Sequence, residues 1–177
     1  MENKKAILVY GTPQERDNFE KFSRDAATDL KIMQELSGKN NYDHETLFLD
    51  EMEEKIGELQ GKKLDNFLFY FTGHADKYHI GNKEYKTNDL MESINQIEGN
   101  KTIILDACAG NYSGGDKFEA LNLPENSKVM TQKKTYSNKS LAKLLYDLDL
   151  RKQPLDNINS DSLQELKLGE IYYKQNY

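Results

Sequence analysis

His74 and Cys108 are the two residues of this chain whose chemistry and placement coincide. His74 follows the apolar run NFLFYFTG at 66–73, and Cys108, the one cysteine in 177 residues, follows TIILDA at 102–107. A thiolate attacks carbonyl carbon readily, and an imidazole beside it can carry the thiol proton to a leaving amine. Backbone N–H groups of Ala75 and Cys108 would stand where an oxyanion develops during such an attack. Taken alone, a cysteine behind an apolar strand is more often core filler, and a histidine at a strand end is more often a surface or capping residue. The pairing is what points to acyl transfer.

For the two side chains to meet, the fold must bring two strand ends together. They lie 34 positions apart, room for a strand, a crossover helix and a second parallel strand. Lys5–Tyr10 (KAILVY), Thr46–Leu49 (TLFL), Asn66–Thr72 (NFLFYFT), Thr102–Asp106 (TIILD) and Lys128–Thr131 read as strands. Apolar residues at three- and four-residue spacing predict helices over Glu15–Leu36, Met52–Leu59, Asn88–Ile97 and Ser137–Leu148. Their stops are Gly38–Asn41, Gly61 and Gly99-Asn100, and Ser137 is a cap for the last helix. A small hairpin fits Tyr78–Tyr85 with Gly81-Asn82 at its turn. Asn111–Asp116 reads as an exposed loop, Ser162–Leu168 as a further helix and Glu170–Tyr173 as a last strand.

Apolar strands alternating with amphipathic helices predict an α/β fold, a three-layer α/β/α sandwich around a mostly parallel sheet of about five to six strands. In such sheets ligands bind beyond the carboxyl ends of the strands, which is where His74 and Cys108 fall. No internal repeat or linker interrupts the chain, which predicts one domain over 1–177.

Composition narrows the function classes. A chain that is 37% hydrophobic and 31% charged, with three prolines, is built to fold rather than to stay disordered. A net charge of −6 argues against nucleic acid or an anionic membrane as partner, since both call for a basic face. No apolar stretch approaches membrane-spanning length, and the Met1–Lys5 start does not read as a signal peptide. A single cysteine excludes an intramolecular disulfide framework and fits a reducing compartment, so the expected location is cytoplasmic. No P-loop, dinucleotide fingerprint or zinc-type cluster is present, and no cofactor is expected.

The residues around the two positions resemble the caspase-like superfamily of cysteine proteases, which includes caspases, metacaspases, paracaspases and legumain. The resemblance rests on FLFYFTGHA at 67–75, similar to a hydrophobic strand ending in Thr/Ser-Gly-His-Gly, and on TIILDACAGNYSGG at 102–115, similar to a strand ending in Asp/Glu-x-Cys before a small-residue loop. It implies a caspase-like peptidase domain in which Cys108 is the nucleophile, His74 the general base and acid, and the Ala75 and Cys108 amides the oxyanion hole. It also implies an S1 pocket shaped by Asp106, two positions before the cysteine. Arg24-Asp25-Ala26-Ala27 resembles the metacaspase Asn-Asp-Ala stretch, which adds Asp25 to that pocket. Two carboxylates would hold an arginine by charge-assisted hydrogen bonds, so the implied activity is an endopeptidase cutting after Arg or Lys through a thioester. The implied partner is a protein or peptide substrate. Calcium dependence, and a homodimer paired through an edge strand, stay open.

Ala75 stands where the family has glycine, and Ala109-Gly110-Asn111 where metacaspases usually have His-Ser-Gly. These departures keep an alternative in view, a catalytically inactive relative acting as a binding or scaffolding module. Other candidates are weaker: His79 in the hairpin, His44 in the polar stretch before the second strand, Asp116 by the glycine-rich loop, and Asp50-Glu51-Glu53-Glu54. The last group lacks the spacing of a calcium loop and reads as a helix N-terminus favoured by the dipole.

Overall fold

Five consecutive large residues, Phe67 to Phe71, are each at most 1% exposed. Only a strand covered on both faces hides neighbours that point in opposite directions. They form the middle of β3 (Lys63–His74), an inner strand of the main sheet. The computed structural model describes residues 2–11, 20–75, 78–81, 85–108, 121–132, 140–150, 154–159 and 171–177.

Around β3 the chain places β1 (Lys4–Tyr10), β2 (Asp43–Phe48), β6 (Glu98–Cys108), β7 (Ser127–Gln132) and β8 (Ile171–Asn176). The order across the six-stranded sheet is β2-β1-β3-β6-β7-β8. All neighbours run parallel except β8, which is antiparallel to β7. A separate two-stranded ribbon joins β4 (His79–Ile80) to β5 (Tyr85–Lys86).

The helices are α1 (Glu20–Lys39), α2 (Leu49–Leu59), α3 (Thr87–Asn95) and α4 (Leu141–Leu150), and Leu155–Asn157 makes a short 3-10 turn. Strand alternation sorts the core into two halves. Phe67, Phe69, Phe71, Ile103 and Leu105 pack with α2 and α3, while Leu68, Tyr70 and Ile104 pack with α1 and α4. The result is the expected three-layer sandwich with a mostly parallel sheet of six strands. Far from the strand ends that matter below, Lys4 Nζ and the Tyr42 hydroxyl both donate to the Asp156 carboxylate, tying the short turn to β1. That bond holds the Lys4 ammonium above its usual range.

Boundaries differ from the sequence expectation in instructive ways. Within the expected stop Gly38–Asn41, the helix runs through Gly38 to Lys39, past the expected end at Leu36, and the chain turns at Asn41 with φ 61°, a conformation asparagine tolerates. β2 starts at Asp43, so His44 is an exposed strand residue rather than part of a loop. Edge pairing to β1 extends the strand past the point where apolar character stops. The expected cap Ser137, the 111–116 loop and the 162–168 helix lie outside the described residues, as does the start of the first helix at 15–19. Among the described residues no helix is long and apolar enough to cross a membrane.

Gly99 adjusts the pairing of β3 and β6. The register between them shifts between Lys63 and Asn66, and Gly99 crosses this point at φ 113°. A Cβ there would lie 1.9 Å from the Leu64 carbonyl oxygen. Both the clash and the backbone conformation therefore demand glycine. Gly99→Ala is expected to cost about 3 kcal/mol or more, lowering Tm by roughly 6–12 °C in a chain of this size. Gly38→Ala, where nothing lies within 4 Å, serves as the control and leaves Tm unchanged or higher. Equal melting of the two variants by circular dichroism would contradict this account.

Candidate active site

His74 ends β3 and Cys108 ends β6, and the parallel ladder sets them directly opposite one another. From Asn66↔Asn100 the register closes through Thr72↔Asp106 and Gly73↔Ala107 to His74↔Cys108. Neighbouring strands lie about 4.8 Å apart, so the two Cα positions are separated by a single strand spacing at the carboxyl edge of the sheet.

The backbone around His74 is held from two sides. On one side, Gly73 packs against Gly11 at the end of β1, where the Gly11 amide donates to the Thr72 carbonyl at 3.0 Å. A Cβ on Gly73 would come within 2.7 Å of the buried Phe71 ring and 3.2 Å of Gly11 Cα, so this approach needs glycine. On the other side, the β4–β5 ribbon clips on. The Gly81 amide donates to the His74 carbonyl at 2.7 Å, and Ala75 bridges to Ile80 in antiparallel fashion. A bond spanning residues 74 and 81 makes Ala75 and Ile80 the non-hydrogen-bonded type of pair, whose members do not bond each other's amides. The Ala75 N–H is thus not used in pairing with Ile80. His74 itself is half-buried.

Asp106 lies at the end of β6 and is only 6% exposed. Its Oδ2 accepts a hydrogen bond from the Tyr70 hydroxyl at 2.9 Å and from the Ala142 amide at 3.1 Å. The Ala142 amide belongs to the first turn of α4, so the carboxylate sits at a helix N-terminus, where the dipole favours negative charge. Burial, and then the charge of Asp106, push the Tyr70 hydroxyl well above its ordinary range. Tyr70 is therefore a neutral donor at working pH. Tyr70 and the Ala142 amide are both neutral donors to this carboxylate.

A second buried carboxylate, Asp29 of α1, meets the same helix end. Its Oδ1 accepts from Ser140 Oγ at 2.6 Å and lies 3.9 Å from Lys143 Nζ. Ser140 Oγ in turn accepts the Lys143 amide at 3.3 Å, capping α4 three residues beyond the expected Ser137. Tyr70, Asp29 and Ser140 were not singled out as site residues in the sequence. Two of them left a signal: Tyr70 is a hydroxyl in an otherwise apolar run, and Asp29 falls in the apolar stripe of α1 between Ala26 and Met33. Asp25 lies one turn earlier in α1. The loop after Cys108, with Asp116, lies outside the described residues. No cluster of three or more potential metal ligands occurs among the described residues.

No protein-family model matches the chain, and no curated protein matches it. Its architecture, however, is similar to the solved structure of pro-sf-caspase-1, with a TM-score of 0.60 over 86% of this chain and 75% of that one. The fold is caspase-like. At 10% identity the likeness concerns the fold alone. Within that caspase-like fold, the six-stranded sheet and the register of its central strands bring His74 and Cys108 to one edge.

The Tyr70–Asp106–Ala142 unit ties β3, β6 and α4 together directly beneath that edge. Tyr70→Phe leaves a buried carboxylate one donor short, and is expected to cost about 1–3 kcal/mol in urea denaturation. In a double-mutant cycle with Asp106→Ala the two losses should couple by about 1 kcal/mol or more; additive losses would show that the hydrogen bond contributes nothing.

Proposed function

We propose that the protein is a cysteine endopeptidase working through a Cys108–His74 dyad. The observation that carries this reading is the register of β3 and β6, which sets the two residues opposite one another at the carboxyl edge of a caspase-like sheet. In the proposed reaction the Cys108 thiolate attacks the scissile carbonyl carbon, and the oxyanion is held by the amides of Ala75 and Cys108. As the C–N bond breaks, His74 gives its proton to the leaving amine, and a thioester remains. Water, deprotonated by His74, then attacks the thioester; the acid leaves and the thiol is restored. The reading uses no cofactor, takes a protein or peptide as substrate and fits a reducing compartment such as the cytoplasm.

Specificity follows from charge. Asp106 is a buried carboxylate two positions before the proposed nucleophile, accepting from Tyr70 and the Ala142 amide, and Asp25 lies in the first turns of α1. A guanidinium or ammonium at P1 is the group such a pocket favours, which makes Arg or Lys the proposed cleavage position. Asp106→Asn keeps the shape and removes the charge, so Arg/Lys preference should fall while folding persists. Unchanged selectivity would remove Asp106 from the pocket.

A second reading, a binding module on the same fold without turnover, is favoured by Ala75 and by Ala109-Gly110-Asn111 in place of the family's usual residues. Fluorogenic peptides ending in Arg, Lys, Asn or Asp, offered to the wild-type protein and to Cys108→Ala, separate the two. Hydrolysis after Arg or Lys that is lost by about 1,000-fold or more in Cys108→Ala supports the peptidase. Hydrolysis confined to Asn or Asp keeps the dyad and overturns the S1 assignment. No hydrolysis with or without calcium, together with a Cys108 thiol that alkylates no faster than a model thiol, favours the binding module.

A further inference from the structure

On the α2–α3 face of the sheet, beside the β4–β5 ribbon, a groove of about 320 Å³ opens between α2, α3 and β5. Its buried lining is apolar, formed by Met52, Ile56 and Leu90, while Glu53 and Asp89 stand exposed on the two helices beside it. The volume lies near the lower end of the roughly 300–1,000 Å³ typical of ligand pockets, and suits one large side chain as an anchor.

The charge on the two helices beside this groove is one-sided. α2 carries Asp50, Glu51, Glu53, Glu54 and Glu58 against Lys55, and α3 carries Asp89 and Glu92 with no basic residue. All seven acidic residues are exposed. Two are engaged locally: Glu51 accepts the Phe48 amide at 2.8 Å, and Glu58 pairs with Lys55 at 3.1 Å. Seven acids against one lysine is a net of −6, the formal net charge of the whole chain, so the other 157 residues balance at 23 acidic and 23 basic. The chain's excess negative charge is therefore gathered on the two helices that flank the groove. Lys86, a cation lining the β5 end, leaves the sign of the helices unchanged.

We propose that this groove docks a basic amphipathic segment of a partner protein. An apolar side chain of the segment seats over Met52, Ile56 and Leu90, and its Lys or Arg side chains reach Glu53 and Asp89. Charge complementarity selects this occupant. Nucleic acid and anionic membrane are repelled by the same field. A second copy paired about a two-fold axis would set the acidic face against itself. The bound segment also touches Tyr85 and Lys86 of β5, the partner strand of β4, whose Ile80 bridges Ala75 next to His74. Docking therefore sits beside the ribbon clipped to the strand end, and it stands whether or not the protein cleaves peptides.

The test uses the full chain and three peptides of equal length in fluorescence anisotropy: a Leu/Lys amphipathic helix former, its Leu/Glu counterpart, and a Gly/Lys peptide with the charge of the first. At about 150 mM salt, where diffuse surface attraction is screened, the Leu/Lys peptide should bind at least about tenfold more tightly than the other two. The pair Glu53→Lys and Asp89→Lys, both at exposed positions, should weaken that binding by about tenfold or more. Ser93→Trp, which fills the groove without changing charge, should do the same, and hydrogen-exchange protection by the peptide should map to α2 and α3. Equal binding of the Gly/Lys peptide, or protection elsewhere, would overturn the groove as the site. A dimer in sedimentation that Ser93→Trp dissolves would make a second copy the occupant and would overturn the proposal equally.

Discussion

The parallel pairing of β3 with β6 is the constraint on which the rest of the molecule depends. Side chains in a strand alternate with a period of two, so slipping the register by one residue would exchange the two faces of β6 and move Cys108 out of line with His74. The pairing is specified by what lies on both sides of it. Phe67, Phe69 and Phe71 with Ile103 and Leu105 belong to one core, and Leu68 and Tyr70 with Ile104 to the other. Neither half can shift without exposing large apolar surface. Gly99 takes up the irregularity at the start of the pairing, leaving an unbroken ladder from Asn66 to the strand ends.

Polar groups finish what the apolar core begins. Tyr70 and Asp106 are buried in the middle of an otherwise apolar layer, and each satisfies the other. The second lone pair contact, from the Ala142 amide, anchors α4 to β6 two residues from Cys108. Asp29 and Ser140 do the same for α1 and α4. Buried polar groups of this kind are costly unless satisfied, so they favour one arrangement of helices over the sheet where apolar packing alone would accept several. The carboxylates thus join the edge carrying the His74 and Cys108 positions to both helices of one layer.

The two layers differ in charge as well as in content. The α2–α3 layer holds the excess acid of the chain, while on the α1–α4 side of the sheet two carboxylates, Asp29 and Asp106, are buried against hydroxyls and a helix N-terminus. The exposed acids of the first layer project a field into solvent; these two buried acids serve internal structure and the edge of the sheet.

Periodicity and strand-end placement made much of this legible beforehand. The apolar runs of β1, β3 and β6, the helical stripes between them, and the position of His74 and Cys108 just after strands are local patterns, and local patterns survive in a sequence. Element ends were less legible, because β2 and β6 are lengthened by pairing with neighbours rather than by their own composition. The sequence by itself therefore determined an α/β sandwich of alternating strands and helices, and which residues could do chemistry at its edge. Only the tertiary structure decided that His74 and Cys108 share a register position, that Asp106 is held by Tyr70 and α4, and that Asp29 joins them. These depend on contacts between residues far apart in the chain, whose pairing is selected by the packing of the whole core and leaves no mark in the spacing of any one segment.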